Sequence, residues 1–101
     1  MVGLVVGDGS AGSADGPGHL ARLDSPKHLC VDPRDNVFIA DDQNARIRKF
    51  DPRTKLVTTV LGAGQGTPSV RLKNPHGVCV EGERLYVVDT GNNRVLSLPL
   101  P

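Results

Sequence analysis

Ser25 to Phe50 reads SPKHLCVDPRDNVFIADDQNARIRKF, and Asn74 to Leu98 reads NPHGVCVEGERLYVVDTGNNRVLSL, a near copy. Pro26 aligns with Pro75 and Cys30 with Cys79, an offset of 49 residues. Asp41, Asn44 and Arg46 align with Asp89, Asn92 and Arg94 at an offset of 48. The one-residue slip falls between Asp32 and Val37, where Glu81-Gly82-Glu83-Arg84 is one residue shorter. A turn absorbs such a change because no packed register depends on it. Repetition at this period marks supersecondary units that bury a shared core only by stacking on one another. A shorter echo sets Val60-Leu61-Gly62-Ala63-Gly64 over Val5-Val6-Gly7-Asp8-Gly9, at an offset of 55.

Composition narrows what the units are. Twelve glycines and eight prolines in 101 residues make a turn-rich chain, poor in long helices and no larger than one small domain. No apolar stretch nears the roughly 20 residues that span a bilayer. Met1-Val2-Gly3-Leu4 lacks the basic start and apolar run of a signal peptide, so no membrane partner and a cytoplasmic location are expected. Twelve basic residues stand against 11 acidic ones, too even a balance for a field that grips phosphate backbones. Cys30 and Cys79 occupy matching positions that face the same way in successive units, which favours two buried thiols over a disulfide.

Each unit reads as short strands. His28-Leu29-Cys30-Val31 and Gly77-Val78-Cys79-Val80 are brief apolar runs. Val37-Phe38-Ile39-Ala40 and Leu85-Tyr86-Val87-Val88 are apolar runs with β-branched and aromatic members. Continuous hydrophobicity implies strands covered on both faces. Arg46 to Asp51 and Leu56 to Leu61 supply a third and a fourth strand, with Asp-Pro turns between. The chain then divides into a displaced fourth strand (1–9), a loop (10–25), a complete four-stranded unit (26–62), a second loop (63–73) and three strands of another unit (74–101). Pro17 to Asp24, within the first loop, is expected to form one helical turn.

SPKHLCVD, NVFIADDQNARIRKF and LVTTVLGAG, followed by NPHGVCVE and RLYVVDTGNNRVLSL, resemble the NHL repeat. The NHL pattern runs from a proline through a small apolar strand and a turn to an apolar strand ending in Asp, then an Asn-x-Arg segment. The resemblance covers nearly the whole chain. The first copy departs from it at His28, Asp42, Gln43 and Ala45. It implies an all-β fold of two four-stranded β-propeller blades, whose sheet faces are buried by neighbouring blades. Two blades alone would expose both outer faces, more apolar surface than a soluble monomer carries. Either the chain is a piece of a longer propeller, or identical copies complete a closed ring. Assembly is favoured, with Val2, Leu4, Val5 and Val6 of one copy completing the second blade of the next by strand exchange. Three copies would give six blades, the commonest number the resemblance implies, while tetramers and pentamers would give eight and ten.

The candidate sites follow from this frame. Asp41, Asn44 and Arg46, and again Asp89, Asn92 and Arg94, suit acids or metal ligands. Their recurrence in both units makes them repeat structure instead, each Asp accepting turn N–H groups and pairing with the nearby Arg. His76, just before a first strand, would lie near the propeller axis, where the resemblance to propeller lyases offers a weak metal candidate; His28 is a second channel candidate. His19 lies in the long loop and is expected in solvent. The run Gly7 to Ser13 lacks the following helix that a phosphate loop needs. Arg46, Arg48, Lys49, Arg53 and Lys55 cluster locally, yet Phe38, Phe50 and Tyr86 are all placed in the core, which leaves no stacking platform for RNA.

The leading reading is a noncatalytic, self-assembling scaffold that binds a protein or other ligand on its faces or in its channel, with no cofactor. No nucleophile, base and orienting partner can be assembled from these motifs. A metal-dependent lyase or hydrolase at the axis is the second reading. An RNA-binding module is the third, with nucleic acid the less favoured partner.

Overall fold

The computed structural model describes residues 1–62 and 70–101. Strands β1 (Gly16–Pro17), β2 (Pro26–Val31), β3 (Val37–Asp41), β4 (Arg46–Asp51) and β5 (Leu56–Gly62) form one antiparallel sheet in the order β1-β5-β4-β3-β2. Strands β6 (Gly77–Glu81), β7 (Arg84–Asp89) and β8 (Arg94–Pro99) form a second antiparallel sheet in that order. A single 3-10 turn, Thr90–Asn92, links β7 to β8. Most of the loop placed at 63–73, and Ala63-Gly64 of the third echo, lie outside the described residues.

Turn chemistry sets the strand ends. Asp32 Oδ1 accepts the amides of Arg34 and Asn36, both at 2.9 Å, and Oδ2 accepts the Asn36 side-chain amide at 3.0 Å. That closes the β2–β3 turn and holds Asp35 at φ 67°. The shorter copy joins β6 to β7 through two residues, with Gly82 at φ 57°. This is the left-handed region, which glycine enters without steric cost. The repeat reaches into the backbone elsewhere: Ser25 and Asn74 have φ 55° and 48°, and Ala45 and Asn93 have φ 52° and 54°.

The two sheets bury one face each against the other. Phe38, Ala40 and Ile47 of the first sheet pack with Val78, Leu85 and Val87 of the second, closed by Leu61 and Leu72. Phe38, Ala40, Ile47, Leu85 and Val87 are completely buried. Strand β3 is covered on both faces, as its continuous apolar run implies. Strand β7 is not: Leu85, Val87 and Asp89 are buried while Arg84, Tyr86 and Val88 are exposed. Among the described residues nothing packs on the far side of the second sheet. Tyr86 therefore stands 37% exposed, which corrects its placement in the core; Phe38 and Phe50 are buried.

The N-terminal quarter departs from expectation in two ways. Val2–Val6 forms no strand within this chain. The outer edge of β5 is taken by β1, through Gly16 opposite Val57 and Pro17 opposite Leu56, so the loop placed at 10–25 adds a short fifth strand. Val6 instead packs against Ala21, Phe50 and Val57, on the outer face of the first sheet. The Gly7 amide is anchored on the Gly18 carbonyl at 2.9 Å. Between β1 and β2 the amides of Leu20 and Ala21 both donate to the Pro17 carbonyl, at 2.9 and 2.8 Å, which makes the one helical turn.

Candidate functional site

Each sheet is pinned at its front by a buried aspartate. Asp41 accepts the Asp24 amide at 2.8 Å, the Asn44 side-chain amide at 2.8 Å and Arg48 Nη1 at 2.7 Å. Asp89 accepts the Lys73 amide at 2.8 Å, the Asn92 side-chain amide at 2.9 Å and Arg94 Nε at 2.8 Å. Asp24 and Lys73 each stand two residues before the repeat proline, so each carboxylate ties the incoming chain to the end of its sheet's second strand. Burial alone would raise the Asp89 carboxyl, but the Lys73 amide, Asn92 and Arg94 outweigh it and hold it below its ordinary range. These carboxylates are saturated by the fold, which leaves them nothing to offer a substrate.

In the first sheet the arginine is not the one the spacing points to. Arg46 sends Nη1 to the Ser13 carbonyl at 3.3 Å, and its buried Nε has no partner. Arg48, two residues along the same face, reaches Asp41 instead. It is wholly buried. Its guanidinium also meets Asp15 Oδ1 at 2.7 Å and the carbonyls of Arg22, Ala14 and Ser13 at 2.9, 3.0 and 3.2 Å. Residues 13–15 and 22 thus fold over the front of the first sheet and are locked there by one side chain. The sequence carries a signal for this: at the equivalent place the second copy has Leu96, so Arg48 is a charge at a packing position.

With Arg48 buried, the basic cluster does not form a single face. Lys49 points to the opposite side of the strand and donates to the Pro101 carbonyl at 3.1 Å. Arg53 pairs with Asp51 at 3.2 Å and donates to the Arg34 carbonyl and Asn36 Oδ1.

The two candidate histidines lie at the seam where β2 runs beside β6. His76 Nε2 is 3.5 Å from Asp42 Oδ2, a buried carboxylate that also accepts the Asn74 side-chain amide at 3.0 Å. His28 Nδ1 receives the Val78 amide at 3.5 Å, a long contact. Asp42 is thus a joint between the sheets, at a position where the second copy has Thr90. Among the described residues no three His, Cys, Asp or Glu side chains converge to hold a metal. His19 is exposed.

The cysteines are both free thiols. Cys30 is partly buried in the joint, whereas Cys79 is exposed on the open face of the second sheet, a departure from two buried thiols. Burial pushes the Cys30 thiol up to about 11, with Cys79 and Asp32 adding to the rise. The thiolate is the reacting species. In dilute protein near pH 8, iodoacetamide should therefore modify Cys79 while Cys30 lags roughly 100-fold, as read by peptide mass spectrometry. Equal labelling of both thiols would contradict this placement.

What remains open, among the described residues, are the apolar back of the second sheet and the β2 part of the front of the first. By the repeat offset, Cys79, Tyr86, Val88 and Val95 of the second sheet stand where Cys30, Phe38, Ala40 and Ile47 stand in the first. Phe38, Ala40 and Ile47 have no exposure, while Tyr86, Val88 and Val95 are 37%, 44% and 64% exposed. At the other end, Leu29 and Val31 stand where the buried Val78 and half-buried Val80 stand, and are 58% and 51% exposed. Above Leu29, Val37 and Ile39 lies an open groove of about 680 Å³, walled on its far side by Gly3–Val6. The joint between the sheets is satisfied once. Its back half is repeated, unfilled, on the second blade; its front half is repeated on the first with Leu29 and Val31 exposed but Ile39, Phe50 and Val57 buried.

The NHL repeat pattern matches residues 72–96. The chain is 35% identical over 100 residues to NHL repeat-containing protein 2 of Homo sapiens and 34% identical over 99 residues to that of Bos taurus. Each alignment covers 88% of this chain and 14% of the relative. The chain thus spans about one-seventh of the length of the curated relatives it matches. Among solved structures, a structural genomics protein of Bacteroides thetaiotaomicron superposes with TM-score 0.81 at 20% identity, over 92% of this chain and 26% of that one. An auxiliary nutrient binding protein of the same organism superposes with TM-score 0.72 at 25% identity, over 88% and 26%. Two copies of one strand pattern, the paired aspartate pins and these likenesses agree: the chain carries the NHL repeat, matched over residues 72–96, and its sheets are β-propeller-like blades.

Proposed function

We propose that this chain is a noncatalytic binding module that assembles head to tail with identical copies into a closed propeller. The observation that carries this reading is the mismatch in burial between repeat-equivalent residues. The back of the first blade, Phe38, Ala40 and Ile47, is buried by the front of the second. The back of the second blade is open to solvent, and on the front of the first Leu29 and Val31 of β2 are exposed, while Ile39, Phe50 and Val57 are already covered within the chain. A second copy offers each face the surface it already meets inside the chain. Such a contact is heterologous, so it closes only as a ring. Three copies, and hence six blades, are favoured; four and five are the alternatives.

The second blade supports the same reading at its edge. It has three strands, and β8 has no outer neighbour among the described residues. Val5 and Val6 of the next copy, which echo Val60 and Leu61 of β5, are the residues for that place. Exposed apolar faces of this extent are what a partner covers. The likeness to a nutrient binding protein supports a binding role, and the ligand would be held on the faces or in the channel of the assembled ring.

Two single substitutions test the head-to-tail contact. Leu29→Asp spoils the front face and Val95→Asp the back, and each variant alone should stay at the 10.7 kDa of one chain. Mixed, they should form a capped dimer of about twice that mass, because each keeps the half the other lost. Ultracentrifugation reads all three samples. Association of either variant alone would contradict a two-sided interface.

A further inference from the structure

The groove on the front of the first blade has a counterpart inside the chain, already filled. Phe38, wholly buried, packs in one cluster with Val78, Leu85 and Val87. The repeat carries these three onto Leu29, Val37 and Ile39, the floor of the groove. It carries Phe38 onto Tyr86, the exposed aromatic of the second blade. The far wall, Gly3–Val6, includes Val5 and Val6, which echo Val60 and Leu61 at the closed joint. Socket and plug are thus both present on one chain, at opposite ends: Tyr86 is exposed, and of the socket floor Leu29 is exposed, Val37 half-buried and Ile39 buried.

We propose that this groove is the socket for Tyr86 of a second copy, and that this aromatic anchors the contact between copies. The inference rests on the head-to-tail reading above and goes further, naming the residue that seats and the three that receive it. The surface is continuous with the established joint between the blades, because one repeat step carries that joint onto each end. A buried aromatic in an apolar pocket, ringed by weaker contacts, is the usual hot spot of such an interface. Val88 and Val95 flank it on the same face of β7 and β8. They exclude water around it.

The chain supplies its own probe, since Tyr86 is its one tyrosine and it has no tryptophan. Acrylamide quenching of tyrosine fluorescence in the full-length chain is followed as concentration rises, alongside the mass by light scattering. The expected result is a fall in the quenching constant of roughly fivefold or more as the mass rises. Tyr86→Ala should weaken association by about 30-fold or more while leaving the fold of the single chain intact, and Tyr86→Phe should keep most of it. A rising mass with unchanged quenching would overturn the socket and leave the head-to-tail reading standing. A mass that never rises would overturn both.

Discussion

Replacing Arg48 with methionine is expected to cost about 3–5 kcal/mol of stability. Methionine fills similar volume, so the loss is electrostatic rather than a cavity. Six hydrogen-bond contacts go with the guanidinium, including those to the carboxylates of Asp41 and Asp15. Asp41 is fully buried, and a buried charge stripped of its partner is among the costliest single defects. Against a total of about 5–15 kcal/mol for a typical domain, this is a large share. Urea unfolding followed by circular dichroism gives the value. Arg48→Lys should recover only part, because one ammonium cannot span acceptors held on three sides. A loss under about 1 kcal/mol would mean that residues 13–15 are not held by this side chain.

The second large effect is a contrast between equivalent positions. Phe38→Ala should cost about 3–5 kcal/mol, since the ring is wholly buried in the joint and its removal leaves a cavity. Tyr86→Ala, at the same place in the other copy, should cost under about 1 kcal/mol in dilute protein, where the side chain is partly in water already. The two changes have nearly the same chemistry, so the difference measures what a neighbouring blade contributes. Thermal unfolding of both variants at micromolar concentration reads it. Equal costs would mean that the second blade already packs its back face on something within the chain.

The strand pattern was legible because it is written twice. Two copies of Pro, Cys, Asp, Asn and Arg at offsets of 49 and 48 locate β2–β4 and β6–β8 from periodicity and turns. What escaped reading is what repetition conceals. Tyr86 and Phe38 have the same local sequence signature, and only the end of the stack makes one exposed and the other buried. Arg48 looks like one of a run of surface cations, yet it lies on the face that carries Asp41. Its burial depends on Asp15, Ala14 and Ser13, more than thirty residues away in a glycine-rich stretch with no strand pattern. Val2–Val6 matches the fourth-strand echo, but a strand needs an edge, and β1 holds the one nearby. Of the sites, the aspartate pins could be read from recurrence, whereas the Asp42 joint could not, because the second copy has no acid there.

The central claim is that the exposed back of the second blade and the exposed β2 part of the front of the first belong together. In the longer relatives this stretch is about one-seventh of the chain. For the present sequence taken alone, the proposed neighbour is another copy of itself. Light scattering coupled to size exclusion, from micromolar to near-millimolar protein, tests this most directly. The account predicts a discrete multiple of 10.7 kDa, about 32 kDa for the favoured trimer. A folded species that stays at 10.7 kDa across the whole range would contradict it.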